Sequence, residues 1–215
     1  MTDKELFKSL SYEKKNVYEA ISDKEKAEML TLCDEYREFL DEGKTERECV
    51  EKAVKMAEAN GFKPLDSFDM LKAGDKVYKL NRGKNILLTI VGTEDIENGI
   101  NLVGAHIDSP RLDLKQNPLY ESNGMALLKT HYYGGIKKYQ WPTIPLAIHG
   151  VIYTRDGEKV TLNLGEKNTD PVFCITDLLP HLAKDQMVKK MIDGIEGENL
   201  NILIGGIPFL TDDVG

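Results

Sequence analysis

One short stretch groups residue types that can do chemistry: Gly104-Ala-His106-Ile-Asp108-Ser-Pro110. In extended backbone, residues two apart project to the same side, so His106 and Asp108 share a face while Ile107 points the other way. A neutral imidazole can ligate a metal ion. A carboxylate beside it can orient that imidazole or bind a second ion. The plainer alternative is a structural histidine satisfied by a neighbouring carboxylate. A zinc site needs about four ligands, or about three plus water when catalytic, and these two residues do not supply them. The other histidines say less. His131, beside Tyr132 and Tyr133, and His149, before Gly150, read as packed sheet residues. His181 follows Pro180, and either faces a substrate or sits at the surface, the surface being favoured. G-x-S-x-G, G-x-x-x-x-G-K-[ST] and H-E-x-x-H are all absent from the sequence.

The elements that must position this pair change character along the chain. Ser22-Asp-Lys-Glu25 forms a capping box ahead of a helical repeat of Ala27, Leu30, Cys33 and Leu40, with Gly43 as a left-handed stop. Thr45-Glu-Arg-Glu48 opens a second helix whose apolar stripe runs through Cys49, Val50, Ala53, Val54 and Ala57, closed by Asn60-Gly61. Cys33 and Cys49 lie on these stripes and read as small buried hydrophobes. Strands are predicted over 76–80 and 86–91, joined by a turn at Asn81-Arg-Gly-Lys84. Segment 99–107, GINLVGAHI, is nearly all apolar and predicts a strand buried on both faces. His106 and Asp108 would then sit at its carboxyl end, where open α/β sheets bind ligands. From Pro110 on, strands are expected over 125–133, 144–154, 160–164, 172–176 and 200–204. Arg155-Asp-Gly-Glu158 makes a hairpin turn, and a helix runs from an Asp177 cap through Met191. Trp141, with Tyr139, Tyr133 and Tyr132, reads as interface or core packing. The boundary falls near Ser109-Pro110, giving domains over 1–108 and 109–215.

Composition narrows the class. The chain has 215 residues, 41% hydrophobic and 30% charged, as soluble globular proteins do. Its net charge of −8 argues against a general nucleic-acid binder, which needs a basic stripe. The apolar runs are too short to span a bilayer. MTDKELFKSL lacks the apolar core of a secretory signal. Three widely spaced cysteines, with neither a C-x-x-C pair nor an N-x-S/T sequon, predict a reducing, cytoplasmic setting.

These residues together resemble the aspartyl aminopeptidase family of zinc metallopeptidases. Leu102-Val-Gly-Ala-His106-Ile-Asp108-Ser-Pro110 is similar to that family's strand bearing the first zinc ligand, V-G-A-H-T-D-S-P. Tyr133-Gly134-Gly135, Trp141, Leu146 and Gly150 fall at the spacing of its Y-G-G-G…W…L…G stretch, and Leu179-Pro-His-Leu-Ala183 resembles a later P-H-L-A element. The resemblance implies an α/β fold: the N-terminal part of a catalytic domain, followed by a β-rich inserted oligomerisation domain or part of one. It implies removal of N-terminal residues, often acidic, from peptides, with two divalent ions and a glutamate as general base. His106 would ligate one metal and Asp108, orienting it, would count among the catalytic residues. His181 would contact substrate in a neighbouring subunit, with Asp185 the alternative register. Zinc is the cofactor the resemblance implies, although imidazole and carboxylate also accept manganese or cobalt. The implied partners are peptides and further copies of the chain, not nucleic acid or membrane.

Two departures shape this expectation. The family's Asp-Arg pair after the tryptophan is replaced by Thr143-Ile144, which points to a divergent bacterial subgroup. Family members are roughly twice as long as these 215 residues, as expected when an insertion is added to a catalytic domain of ordinary size. The chain is therefore expected to be an N-terminal portion, inactive alone, with the remaining ligands elsewhere; Thr211-Asp-Asp213-Val-Gly215 resembles none of them. Two other readings stand beside it. One is a non-catalytic assembly protein that keeps the inserted domain. The other is a metal-dependent hydrolase of a related family, which would keep His-x-Asp but not the Tyr-Gly-Gly…Trp stretch.

Overall fold

The computed structural model describes residues 2–12 and 14–207. The segment 211–215 read above lies outside them. The chain forms two compact units, one from the residues up to Gly43 and Arg47–Thr93, the other from Lys44–Glu46 and the residues from Glu94 on.

The first unit is helical, then β. It contains α1 (Asp3–Leu10), α2 (Val17–Ala20), α3 (Asp23–Glu42) and most of α4 (Glu46–Ala59). The capping box at α3 is formed: Ser22 N–H donates to Glu25 Oε2 at 2.8 Å, and Glu25 N–H donates to Ser22 Oγ at 3.3 Å. The stripe on α3 is not a buried one. No residue of α3 is buried, Leu30 and Leu40 are about half exposed, and Cys33 is exposed. A helical repeat marks which residues share a face; it does not supply what covers them. Cys49 is buried as expected, with Val50 and Ala57 on the same helix.

Gly43 is not a left-handed stop, since its φ is −101°. Its lack of a side chain matters for a close approach instead: a Cβ there would lie 2.8 Å from Cys49 Sγ and 3.0 Å from the Phe39 carbonyl. The end of α4 is the left-handed one. Gly61 has φ +84°, Gly61 N–H donates to the Glu58 carbonyl and Phe62 N–H to the Ala57 carbonyl. That pair of bonds satisfies two orphan carbonyls of the helix terminus. Beyond it, β1 (Lys63–Pro64) runs parallel to β2 (Lys76–Asn81), which pairs antiparallel with β3 (Asn85–Ile90). Asn81 pairs with Asn85 across a three-residue loop in which Arg82 and Gly83 both have positive φ.

The second unit is β-rich. A four-stranded antiparallel sheet has the order β4-β5-β9-β8: β4 (Arg111–Ser122), β5 (Met125–Tyr133), β8 (Cys174–Ile175) and β9 (Ile202–Gly205). β6 (Ile148–Tyr153) and β7 (Lys159–Leu164) form the separate hairpin expected around Asp156-Gly157. Leu128, Phe173, Ile175, Leu200 and Ile202 make the core, with Trp141, Leu146 and Leu112 packed against it. Trp141 is thus a core-packing residue. β4 carries Pro118 and sits at the sheet edge, where a strand tolerates a missing N–H.

Two expected elements are absent among the described residues. Segment 99–107 forms no strand, and Val103 is 96% exposed, Leu102 74%. A run apolar on both faces becomes a central strand only with a neighbour on each side, and no described strand pairs with it. The expected helix from Asp177 through Met191 is replaced by two four-residue helices, α5 (Lys184–Met187) and α6 (Met191–Gly194). Asp177 is bound locally instead, accepting from Leu178 N–H at 2.8 Å and from Gln186 Nε2 at 3.0 Å. Pro180 follows within a turn over 179–183.

Candidate functional site

The site-bearing residues are brought together by a hairpin rather than by the expected strand. Asn123 and Gly124, both with positive φ, fold β4 back on β5, and a register irregularity between Leu114 and Leu119 then sets Arg111 opposite Tyr133. Residues 106–110 lead directly into β4. Tyr133 therefore returns to Asp108 across 25 positions, and its hydroxyl donates to Asp108 Oδ2 at 2.8 Å. Gly134, at φ +76°, follows in the left-handed region that favours glycine and packs beside Pro110.

His106 and Asp108 do share one side. His106 Nδ1 lies 2.9 Å from the Asp108 carbonyl oxygen and 3.2 Å from Asp108 Oδ1. A carbonyl and a carboxylate only accept, so Nδ1 is the donor, and in the neutral imidazole the lone pair is then on Nε2. The imidazole is 84% exposed, which leaves Nε2 accessible. The Asp108 carboxyl is held below the usual carboxylate range, first by the Tyr133 hydroxyl. The same bond, with the charge on Asp108, pushes the Tyr133 phenol up. At neutral pH the pair is a carboxylate and a phenol. Behind them the Arg111 guanidinium stands 4.2 Å from the Tyr133 ring centre and pairs with Asp113 at 2.8 Å and Glu46 at 3.0 Å.

As a metal site the arrangement is partial. An imidazole whose Nδ1–H is held by a carboxylate is how zinc-binding histidines are oriented. Yet no three His, Cys, Asp or Glu side chains converge to hold a metal among the described residues. The fit is that of one ligand with its orienting partner.

The remaining histidines stand apart. His131 lies on β5 but on an exposed face, stacked on Tyr132 at 5.6 Å, so it is not the packed residue expected. His149 is the packed one: its side chain is nearly buried, with Nε2 2.8 Å from Glu166 Oε1. His181 is exposed in the 179–183 turn. A cavity of about 480 Å³ next to that turn is lined by Leu178, Leu182, Asp185, Gln186, Lys189 and Glu196 among others, but not by His181. Sequence reasoning passed over Tyr133 and Arg111 as site residues. Asn123-Gly124, a strong two-residue hairpin turn, signals that β5 returns along β4, but the register irregularity between Leu114 and Leu119 that brings Tyr133 opposite Arg111 has no such signal.

An α/β chain with an exposed histidine held by a carboxylate is compatible with several classes of protein. Comparison with known proteins narrows this. Residues 39–208 match the model of the aminopeptidase I zinc metalloprotease (M18) family, and the chain belongs to that family. It is 52% identical over 200 residues to a probable M18 family aminopeptidase 1 of Clostridium acetobutylicum, covering 91% of this chain and 43% of that protein. The crystal structure of the Thermotoga maritima M18 aminopeptidase superposes with a TM-score of 0.87 at 45% identity, over 95% of this chain and 44% of that one. At 21% identity, the dodecamer of the yeast aminopeptidase mApe1 shares the fold alone, with a TM-score of 0.60. The bacterial relatives agree with the subgroup implied by Thr143-Ile144. The chain spans less than half the length of the relatives it matches.

Proposed function

We propose that this chain contributes the first metal-binding histidine and the assembly domain of a zinc aminopeptidase that removes N-terminal residues from peptides. The observation that carries the reading is the family match together with a His106 whose Nδ1–H faces Asp108 and whose Nε2 is open. His106 would hold one of two divalent ions through Nε2. Asp108 would keep the imidazole in the ligating tautomer and strengthen it as a donor. His181, exposed on its turn, would reach substrate in a neighbouring copy. When bound, the metal supplies Lewis-acid activation of water and of the scissile carbonyl. The enzyme would work in the cytoplasm as a homo-oligomer. The solution of a fold relative as a dodecamer supports assembly, and no helix among the described residues is long and apolar enough to cross a membrane. The domain boundary near Ser109-Pro110 belongs to the same proposal.

The incomplete ligand set favours a second reading for the 215 residues taken alone, a non-catalytic assembly module. One experiment separates the two. The purified chain is assayed with zinc, manganese or cobalt on aspartyl- and leucyl-linked chromogenic substrates, and zinc capture is followed by chelator competition. The expected result is no appreciable turnover, with weak zinc capture that His106→Ala abolishes. Turnover of about 1 per second or faster, ordinary for enzymes, would show that the described residues complete a site after all. Zinc capture unaffected by His106→Ala would remove His106 from the metal.

A further inference from the structure

We infer that Tyr133, with Arg111 behind it, is a positioning residue that locks Asp108 and through it the ligating tautomer of His106. The inference rests on the reading of His106 as a metal ligand.

The two oxygens of Asp108 have different partners: Oδ1 lies 3.2 Å from His106 Nδ1, and Oδ2 accepts the Tyr133 hydroxyl at 2.8 Å. The Asp108 carbonyl oxygen also faces Nδ1, at 2.9 Å, but nothing in the backbone fixes the carboxylate itself. Residues 99–110 belong to no helix or strand, and no sheet ladder holds them. A carboxylate on such a segment can turn about both of its side-chain bonds, and each turn would move Oδ1 away from the imidazole. A second hydrogen bond on the other oxygen stops that rotation.

Tyr133 is suited to provide it because it is itself fixed. It ends β5 directly opposite Arg111 in the sheet register, so its backbone belongs to the most extensive strand pair of the unit. Its ring lies under the Arg111 guanidinium, 4.2 Å from the ring centre. Attraction between a cation and an aromatic face holds the ring there. The guanidinium is held in turn: Nε donates to Asp113 Oδ1 at 2.8 Å, and a terminal nitrogen pairs with Glu46 at 3.0 Å. The chain of contacts runs from a sheet-anchored arginine through a phenol and a carboxylate to an exposed imidazole. Each link passes on orientation, not a proton.

The test is the tautomer of His106 in the metal-free 215-residue chain, read by two-bond ¹H–¹⁵N correlation, with His106→Ala assigning the signals. The wild-type chain is expected to hold the Nδ1–H form. Tyr133→Phe removes one oxygen from a partly exposed side chain, and should lower the Nδ1–H to Nε2–H ratio about fivefold, the scale of one net hydrogen bond. Asp108→Asn should lower it at least as much. A wild-type His106 found in the Nε2–H form would overturn the inference without any variant. So would a Tyr133→Phe chain with an unchanged ratio where Asp108→Asn changes it. A change of ratio on losing one hydroxyl is a signature that general loosening of the sheet does not produce while the Leu112 and Thr130 amide signals stay in place. Zinc added to the same samples tests the underlying reading separately. If the His106 Nε2 signal does not respond, His106 is not a ligand, and the tautomer result still decides the role of Tyr133.

Discussion

Thr130 ties the site-bearing hairpin to the core, and removing its hydroxyl gives a measurable test. Thr130 is 1% exposed, and its hydroxyl donates to the carbonyl of Leu200, a residue with no exposed surface, across 70 positions of sequence. Thr130→Val keeps the shape and replaces the hydroxyl with a methyl. The loss is the net bond, about 0.5–1.5 kcal/mol, plus the cost of a buried carbonyl deprived of its donor, about 1–3 kcal/mol. These overlap, so about 2 kcal/mol is expected. Thr130→Ser keeps the donor and loses one methyl, about 0.8 kcal/mol. Valine should therefore cost more than serine, the reverse of the order apolar burial alone would give. Trp141, the single tryptophan, packs against this core, so its fluorescence reports unfolding of the second unit. In urea, with a slope of about 2 kcal/mol per molar, the valine midpoint should fall by about 1 M. A valine variant as stable as the wild-type chain, with serine the weaker of the two, would refute the argument that this hydrogen bond joins β5 to the core.

Four further outcomes follow from the structure. Leu200→Ala empties the most buried core position and should cost about 2–5 kcal/mol by the same fluorescence assay. Gly43→Ala should cost about 1–3 kcal/mol through contact with Cys49 Sγ, and Cys49→Ala should recover part of that in a double-mutant cycle followed by thermal melting. The Glu25 carboxyl is held below its ordinary value by the Ser22 backbone and hydroxyl. A depressed carboxylate stabilises α3 above its unfolded value, about 4.3, and that support is lost as pH falls through the lower folded value. Circular dichroism should therefore show α3 weakening in acid, and Ser22→Ala should remove that acid-sensitive step. Limited thermolysin digestion should cut first within 100–107, where Leu102 and Val103 are exposed in irregular backbone; a first cut elsewhere would show the segment to be protected.

What the sequence made legible was local. Ser22 and Glu25 find each other because a capping box spans one helical turn. Asp156-Gly157 turned β6 into β7, and Asn81 to Lys84 turned β2 into β3, because such turns are set by a few adjacent residues. His106 and Asp108 share a side for the same short-range reason, and the family motif around them was readable at once. The rest depends on contacts distant in sequence. Whether Cys33 is covered, whether Pro180 lies in a helix or a turn, and whether His131 faces in or out are decided by neighbours that no periodicity names. Tyr133 entered the site through a register, 25 positions away, and appeared in the sequence only as part of an aromatic group.

Segment 99–107 shows the physical basis of that limit most directly. Its composition is correct for a central strand: it is apolar on both faces and ends at a proline with a chemically useful pair. But hydrophobicity states only what a segment gains if it is covered, at about 25 cal/mol for each Å² of apolar surface removed from water. It does not state which strands will cover it. Among the described residues the sheets are formed by β1–β3, by β4, β5, β9 and β8, and by β6 and β7, and none extends to residues 99–107. The relatives that match this chain are more than twice as long. Val103 is therefore left almost fully exposed, because no described strand covers the segment. His106 and Asp108 differ from it in one respect. Tyr133, at the end of the β4–β5 hairpin, holds Asp108, and Asp108 faces the His106 imidazole, although no strand holds either residue.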